Sequence, residues 1–360
     1  MTTLTLPTTR EEAWRWSDMA TLRTAADTAP AATGIDPTSL FLDLPGPRLT
    51  FIDGAFEPAH SRPGPVQLTR LEMTGTHPLG ALAQGEGWVL NLDDRAATDP
   101  VQIVHISTGG ESHVPARIDL AADAVATVIE TYAGHGWSNR LLHAYLGKGA
   151  RLMRAVRLLQ DTGFVSIRDE ASIGEAASYV ATILGSGNMG SRIDGFLSLD
   201  GPGAFAEMGG ALLTRGDQRQ ECAVAVHHAA PNGSSRQIWR AVAADASTVS
   251  LAARAEVARH AQKTDGEQSL RGLLMKRTAT INLKPELEIF ADDVKCAHGA
   301  TVGELDAKAL FYMQSRGIPE PQAKALLTHA FVADAIGRIG DEAVRDAFMA
   351  DADTWLGTAL

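Results

Sequence analysis

The chain has 360 residues, 45% apolar and 21% charged, with a formal net charge of −11 and an isoelectric point near 5.5. That balance fits a globular protein of one large or two to three modest domains, long enough to bury a core without covalent staples. It argues against a nucleic-acid partner, because no run of Lys and Arg offers the basic face a phosphate backbone demands, and the two cysteines, Cys222 and Cys296, are too few for a disulfide framework and suit a reducing cytoplasm.

The opening stretch, MTTLTLPTTREEAWRW, has no cationic segment followed by an apolar one, so no secretory signal is expected. No later stretch approaches the ~18 uninterrupted apolar residues of a membrane span. Thr8 and Glu11 fit a capping box after Pro7 and predict a helix over residues 8–25, with Trp14, Met19 and Leu22 on one face. Residues 40–58 read as a hairpin: two β-prone runs flank Pro45-Gly46-Pro47, and Asp53-Gly54 marks a second turn. Residues 60–100 are mixed and carry no clear period.

From about 100 to 295 short apolar runs such as VQIVHIS, AVAVHHAA and TATINLKPELEIF recur between Gly, Asp, Asn and Ser. None sustains a 3.6-residue stripe, so this is strand-and-turn sequence. Small-residue corners at Ala124, Ala150, Ala177 and Ala204 recur at spacings of 26, 27 and 27 residues, and the next, at Ala246, comes 42 later and breaks the period. A strand-built period of this length without a Trp-Asp signature predicts a β-solenoid, whose coils stack their inward side chains on one another. The bland alternative is chance recurrence of two abundant small residues.

After residue 303 the helical period returns. Leu305, Ala309, Leu310 and Met313 share one side, with Gly317 as a stop. Ala323, Leu326, Leu327, Ala330 and Phe331 form a second stripe closed by Gly337, and Asp341 caps a last segment holding Val344, Phe348 and Met349. The expected division is a helical N-terminal region with a hairpin (1–95), a β-solenoid (96–302) and a C-terminal helical domain (303–360).

Few motifs carry chemistry. GSGNMG, Gly185 to Gly190, matches the dinucleotide fingerprint, yet glycine-broken, strand-like sequence follows where a phosphate-binding helix would have to begin. The glycines are expected to turn a coil corner. YLGKGARL lacks the spacing of a phosphate-binding loop, so the chain should not hydrolyse a nucleotide itself. No nucleophile elbow and no H-E-x-x-H helix occurs. His227 and His228, adjacent on a strand, point to opposite faces and cannot share one task. Asp194, Asp200 and Glu207 are scattered acids without the paired register a carbohydrate-active β-helix enzyme needs. Cys296 and His298, two apart on a strand, lie on one face and suit iron, zinc or an iron–sulfur cluster. Two ligands do not complete a site; they are a packed thiol and a bonded imidazole, or part of a site that another subunit completes.

The string KPELEIFADDVKCAHGATVGELDAKALFYMQSRGI resembles the signature of the SufB/SufD family of iron–sulfur cluster assembly proteins. HHAAPNGSSRQIWRAV, AQKTDGEQSLRGLLM and the N-terminal LPTTREEAWRWSDM are similar to it as well. Shortness, few cysteines and this N-terminus place the resemblance on the SufD side. The stretches 188–199 and 247–262 depart from the family pattern and bear on coil boundaries. The resemblance implies a right-handed parallel β-helix flanked by helical parts, and a non-catalytic scaffold subunit of a SufBCD-type complex. It implies pairing with a SufB-like homologous subunit, binding of a SufC-like ATPase through the C-terminal helices, and delivery of clusters to apoprotein acceptors. Carried over by position, His298 and, less directly, Cys296 become candidate ligands of a transient iron–sulfur cluster shared at the subunit interface, with no cofactor held tightly by this chain alone. Leu310, Phe311, Tyr312 and Arg316 become the candidate ATPase surface. The competing expectations are a homodimeric β-helix interaction protein without a metal role and, more remotely, a carbohydrate-active enzyme.

Overall fold

The computed structural model describes residues 6–187 and 189–359. Its strands are β1 (Arg48–Ile52), β2 (Ala55–Phe56), β3 (Val66–Leu71), β4 (Gly85–Leu92), β5 (Val101–Leu120), β6 (Val125–Leu146), β7 (Arg151–Leu158), β8 (Phe164–Ile173), β9 (Ser178–Gly185), β10 (Gly190–Leu199), β11 (Phe205–Thr214), β12 (Arg219–His228), β13 (Ser234–Ala243), β14 (Thr248–Val257), β15 (Asp265–Leu274), β16 (Thr280–Ile289) and β17 (Lys295–Gly303). The helices are α1 (Met19–Ala26), α2 (Ala307–Ser315), α3 (Glu320–Ile336) and α4 (Glu342–Ala359).

The strands wind into a parallel β-solenoid of about eight turns. Each coil contributes one strand to each of two parallel sheets. One sheet runs through the first half of β6, then β7, β9, β11, β13, β15 and β17; the other runs through the second half of β6, then β8, β10, β12, β14 and β16. Alternation sends every second side chain inward, and register stacks each on the equivalent residue of the next coil. One such inward column reads Leu152, Tyr179, Ala206, Ser235, Gly266 and Cys296. Burial of a full Leu, Ile or Val in such a column is worth roughly 1.5–3 kcal/mol.

Ala124, Ala150, Ala177 and Ala204 are all buried at the corners that lead into the first sheet. Ala246 does not break that period. It lies in the turn before β14, on the opposite row of corners. The original row continues through Gly233 and Thr264, whose carbonyls bond the first residue of the next coil's strand at 3.0 and 2.8 Å. The coils lengthen toward the C-terminus, from 27 residues between Leu152 and Tyr179 to 31 between Ser235 and Gly266, and a fixed period could not follow that drift. After GSGNMG comes β10, as a coil corner requires; Asn188 lies outside the described residues. Gly210 on β11 has φ +149°, and an added Cβ would run into the Ile183 carbonyl of the coil beneath.

The N-terminal coils bury charge. Glu130, Arg140, Arg154 and Asp169 meet inside the solenoid with Tyr132, Tyr179 and His105, all at most 3% exposed. Two guanidiniums balance two carboxylates, and they hold both carboxyls below their usual range against the upward push of burial. Phe51, His105 and Tyr132 stack in successive coils, with ring centroids 5.6 and 4.5 Å apart.

Three expected elements differ. The helix over 8–25 is a single 3-10 turn at Glu12–Trp14, followed by α1, which Asp18 caps through the Thr21 amide at 3.0 Å. The Glu11 carboxylate does reach back to the Thr8 amide at 3.0 Å, but Trp14 and Leu22 turn into the sheet side, where Trp137 and Phe164 bury them. Tertiary burial overrode the helical period here. The hairpin is closed by Asp53-Gly54, both at positive φ, and pairs β1 with β2, whereas Pro-Gly-Pro only leads into β1. On α3 the buried stripe is Ala323, Thr328, Val332, Ala335 and Ile336, while Leu326 stays 46% exposed. Val332, Ile336, Val344, Phe348 and Leu356 pack on Ile129, Ala155, Leu184 and Val242, the outer face of the first sheet. Asp341 caps α4 as expected, through the Val344 amide at 3.1 Å, and Gly317, at φ +85°, ends α2.

Candidate functional site

The solenoid is covered at one end and open at the other. At the N-terminal end β4 and β1 pair with the two halves of β5, and β3 and β2 pair with them in turn. At the C-terminal end β16 pairs with β14 and β17 with β15; among the described residues neither carries a ladder on its outer edge. The open coil leaves inward-facing apolar residues in solvent. Ile289, in register with the buried Val257, is 40% exposed, and Val302, in register with Gly272, is 44% exposed. An unpaired edge beside exposed apolar side chains is a template for another strand.

Cys296 and His298 sit on that last strand. Cys296 stacks on Gly266 and His298 on Gln268, two positions whose neighbours in register face the interior, so both side chains share the inward face of the open coil. They differ in depth. Cys296 is half-buried against Val257, Ala261 and Ala291, and burial pushes its thiol up. His298 is exposed, and no ring hydrogen bond forms to it among the described residues. Cys222 is sealed inside β12, where burial raises its thiol far above its ordinary range, and both cysteines are free. Among the described residues no three metal-ligating side chains converge. A site at His298 and Cys296 needs ligands from outside this chain.

The second expected surface follows immediately. On α2, Phe311 is 70% and Tyr312 59% exposed, Leu310 is partly buried, and the Arg316 guanidinium lies 5.3 Å from the Tyr312 ring centroid. On α3, Leu326 is a further exposed apolar side chain.

The other polar groups are tied elsewhere. His228 is sealed inside and His227, partly exposed, lies 3.5 Å from Glu256, so the two do occupy opposite faces. Asp194 is bridged by Arg192 and His77, Asp200 bonds Ser172 and Ser198, and Glu207 is clamped by Arg338 at 2.6 and 2.7 Å. The three acids thus lie apart, each with its own partner. A groove of about 550 Å³ runs between the N-terminal segment and the second sheet, and most of its cations are committed: Arg192 to Asp194 and Glu221, Arg168 to Glu170, Arg254 to Glu256 and Glu288, Lys284 to Glu12 and Glu286. Sequence reading missed Gln268, Ile289 and Val302; only the coil register reveals that they face inward at the open end.

Comparison with known proteins agrees with this architecture. Residues 105–331 match the family model described as "SUF system FeS cluster assembly, SufBD core domain". The chain is 27% identical to the iron–sulfur cluster assembly protein SufD of Escherichia coli over 96% of this chain and 88% of that one. It is 27% identical to SufD of Bacillus subtilis, over 78% and 66%, and 24% identical to an iron–sulfur cluster assembly SufBD family protein of Synechocystis, over 93% and 84%. With residues 105–331 matched to that core domain and most of its length shared with such relatives, the chain belongs to the SufB/SufD family of Suf-system iron–sulfur cluster assembly proteins and is most like SufD.

Proposed function

We propose that this chain is the non-catalytic scaffold subunit of a SufBCD-type complex. The observation that carries the reading is the open terminal coil, where an exposed imidazole and a half-buried thiol flank an unpaired strand edge. A SufB-like homologous chain adds its own strands to β16 and β17 and covers Ile289 and Val302. The junction then places His298, with Cys296 beside it, against ligands of the partner. His298 supplies a neutral imidazole and Cys296 a thiolate once the charge of bound iron offsets its raised pKa. The cluster is the cargo, shared between two chains and passed on to apoproteins. The face formed by Leu310, Phe311, Tyr312 and Arg316 takes a SufC-like ATPase, which supplies the nucleotide hydrolysis for which this sequence has no phosphate-binding loop.

The test is co-expression with a homologous SufB-like chain and a SufC-like ATPase, followed by cluster reconstitution. Wild type is expected to co-purify with both and to assemble clusters. His298→Ala is expected to form the same complex and assemble clusters at least tenfold more slowly. Wild-type assembly by an intact His298→Ala complex removes the ligand role. Purification as a lone homodimer that is indifferent to both partners removes the scaffold reading.

A further inference from the structure

A repeated device crosses the interior of the last coils. Gln237, wholly buried, donates its Nε2–H to the Arg254 carbonyl at 2.9 Å; one coil later Gln268, 2% exposed, donates to the Glu286 carbonyl at 3.1 Å. The two glutamines are register partners, and so are Arg254 and Glu286, so the amides form successive rungs between the sheets. The next position in register above Gln268 is His298. Among the described residues each rung leaves its amide oxygen, Oε1, buried and without a donor. Gln237 has another glutamine above it, whereas Gln268 has an imidazole, one strand spacing of about 4.8 Å away. A buried amide oxygen left unpaired is costly, and an imidazole in the adjacent inward position carries the missing donor.

We propose that Gln268 is a positioning residue for His298: its Oε1 accepts the imidazole Nδ1–H and so turns the Nε2 lone pair toward the open edge. Nδ1 lies next to the side-chain stem, within reach of the neighbouring strand, while Nε2 lies at the far end of the ring. The anchor at Glu286 keeps the amide from rotating its NH₂ group toward the histidine. Ligating histidines characteristically give their second N–H to a carbonyl or carboxylate, which fixes tautomer and ring direction. The inference deepens the reading of His298 as a cluster ligand and rests on it for its purpose; what the structure supplies is the register that sets the two side chains one above the other.

The experiment has two arms. In the full chain labelled with ¹⁵N-histidine, His298 is assigned by its loss in His298→Asn, and its tautomer is read in alkaline buffer. Wild type is expected to hold the proton on Nδ1. Gln268→Met, which keeps the volume and removes the acceptor, is expected to lose that preference. Gln268→Glu, which keeps an acceptor, is expected to retain it, a response that mere packing would not produce. Unchanged His298 signals in both variants overturn the proposal, with the thermal midpoint of each confirming the fold. In the complex with the SufB-like and SufC-like chains, Gln268→Met is expected to slow cluster assembly about tenfold and Gln268→Glu to restore most of it. If His298→Ala assembles clusters at the wild-type rate, the ligand reading fails, while the labelled spectra still decide the role of Gln268.

Discussion

Below the terminal coil, His228 is a neutral imidazole in a dry interior, and acid should expose it. It is wholly buried, its Nε2 lies 2.9 Å from Ser235 Oγ, and its Nδ1 has no partner among the described residues. Burial, with a smaller push from the neighbouring His227, lowers its protonation midpoint from 6.5 to about 4. As pH falls, the unfolded chain takes up this proton first, so stability is fully present above about pH 6.5 and drains away until the folded midpoint near pH 4 is passed. At about 1.4 kcal/mol per pH unit, the gap from 6.5 to about 4 corresponds to about 3 kcal/mol, some 2 kcal/mol of it lost by pH 5. Urea unfolding of wild type and His228→Gln at pH 7.5 and 5.0 measures it. The variant should lose about 2 kcal/mol less than wild type between the two conditions, because the groups that titrate in both proteins cancel in the difference. Equal losses would refute the assignment of a buried neutral imidazole.

Further expectations concern the core and the surface. Asp169→Leu strands a guanidinium in the interior and should cost about 3–5 kcal/mol in chemical unfolding, most of which Arg154→Met together with Asp169→Leu restores. Gly210→Ala sets a Cβ against the coil beneath at a backbone angle reserved for glycine, and should cost at least ~2 kcal/mol, read as a lowered thermal midpoint. Phe311→Ala with Tyr312→Ala removes only exposed side chains, so stability should stay within about 0.5 kcal/mol while co-purification with the ATPase fails. Glu170, held at about 2 by His143 and Arg168, should add a loss of stability below about pH 4.5 as its carboxylate protonates, and Glu170→Gln should flatten that limb of the acid denaturation curve.

Much of this molecule could be read before folding. The corners at Ala124, Ala150, Ala177 and Ala204 announce the solenoid because each small residue must fit under the next coil, which is a local demand repeated at nearly constant spacing. The spacing then drifts as the corners lengthen, so Ala246 fell on the other row and looked like a fault. The shared face of Cys296 and His298 was legible from strand alternation alone. Their setting was not: that β17 is the last coil, that Gln268 lies beneath His298, and that Ile289 and Val302 face inward without cover all depend on register between segments 30 or more residues apart. The N-terminal helix failed for a related reason. Trp14 and Leu22 answer to Trp137 and Phe164, more than 100 residues away, rather than to each other along a helix.

The central claim is that the open coil is where a homologous chain docks, and backbone hydrogen exchange reads it most directly. Amides of Thr280–Ile289 and Lys295–Gly303 that lack a ladder on their outer edge should exchange freely in the isolated chain and slow by at least tenfold when the SufB-like chain binds, with the β4 and β5 end unaffected. Binding that leaves both strands exchanging as before, or protects the opposite end instead, would contradict the account.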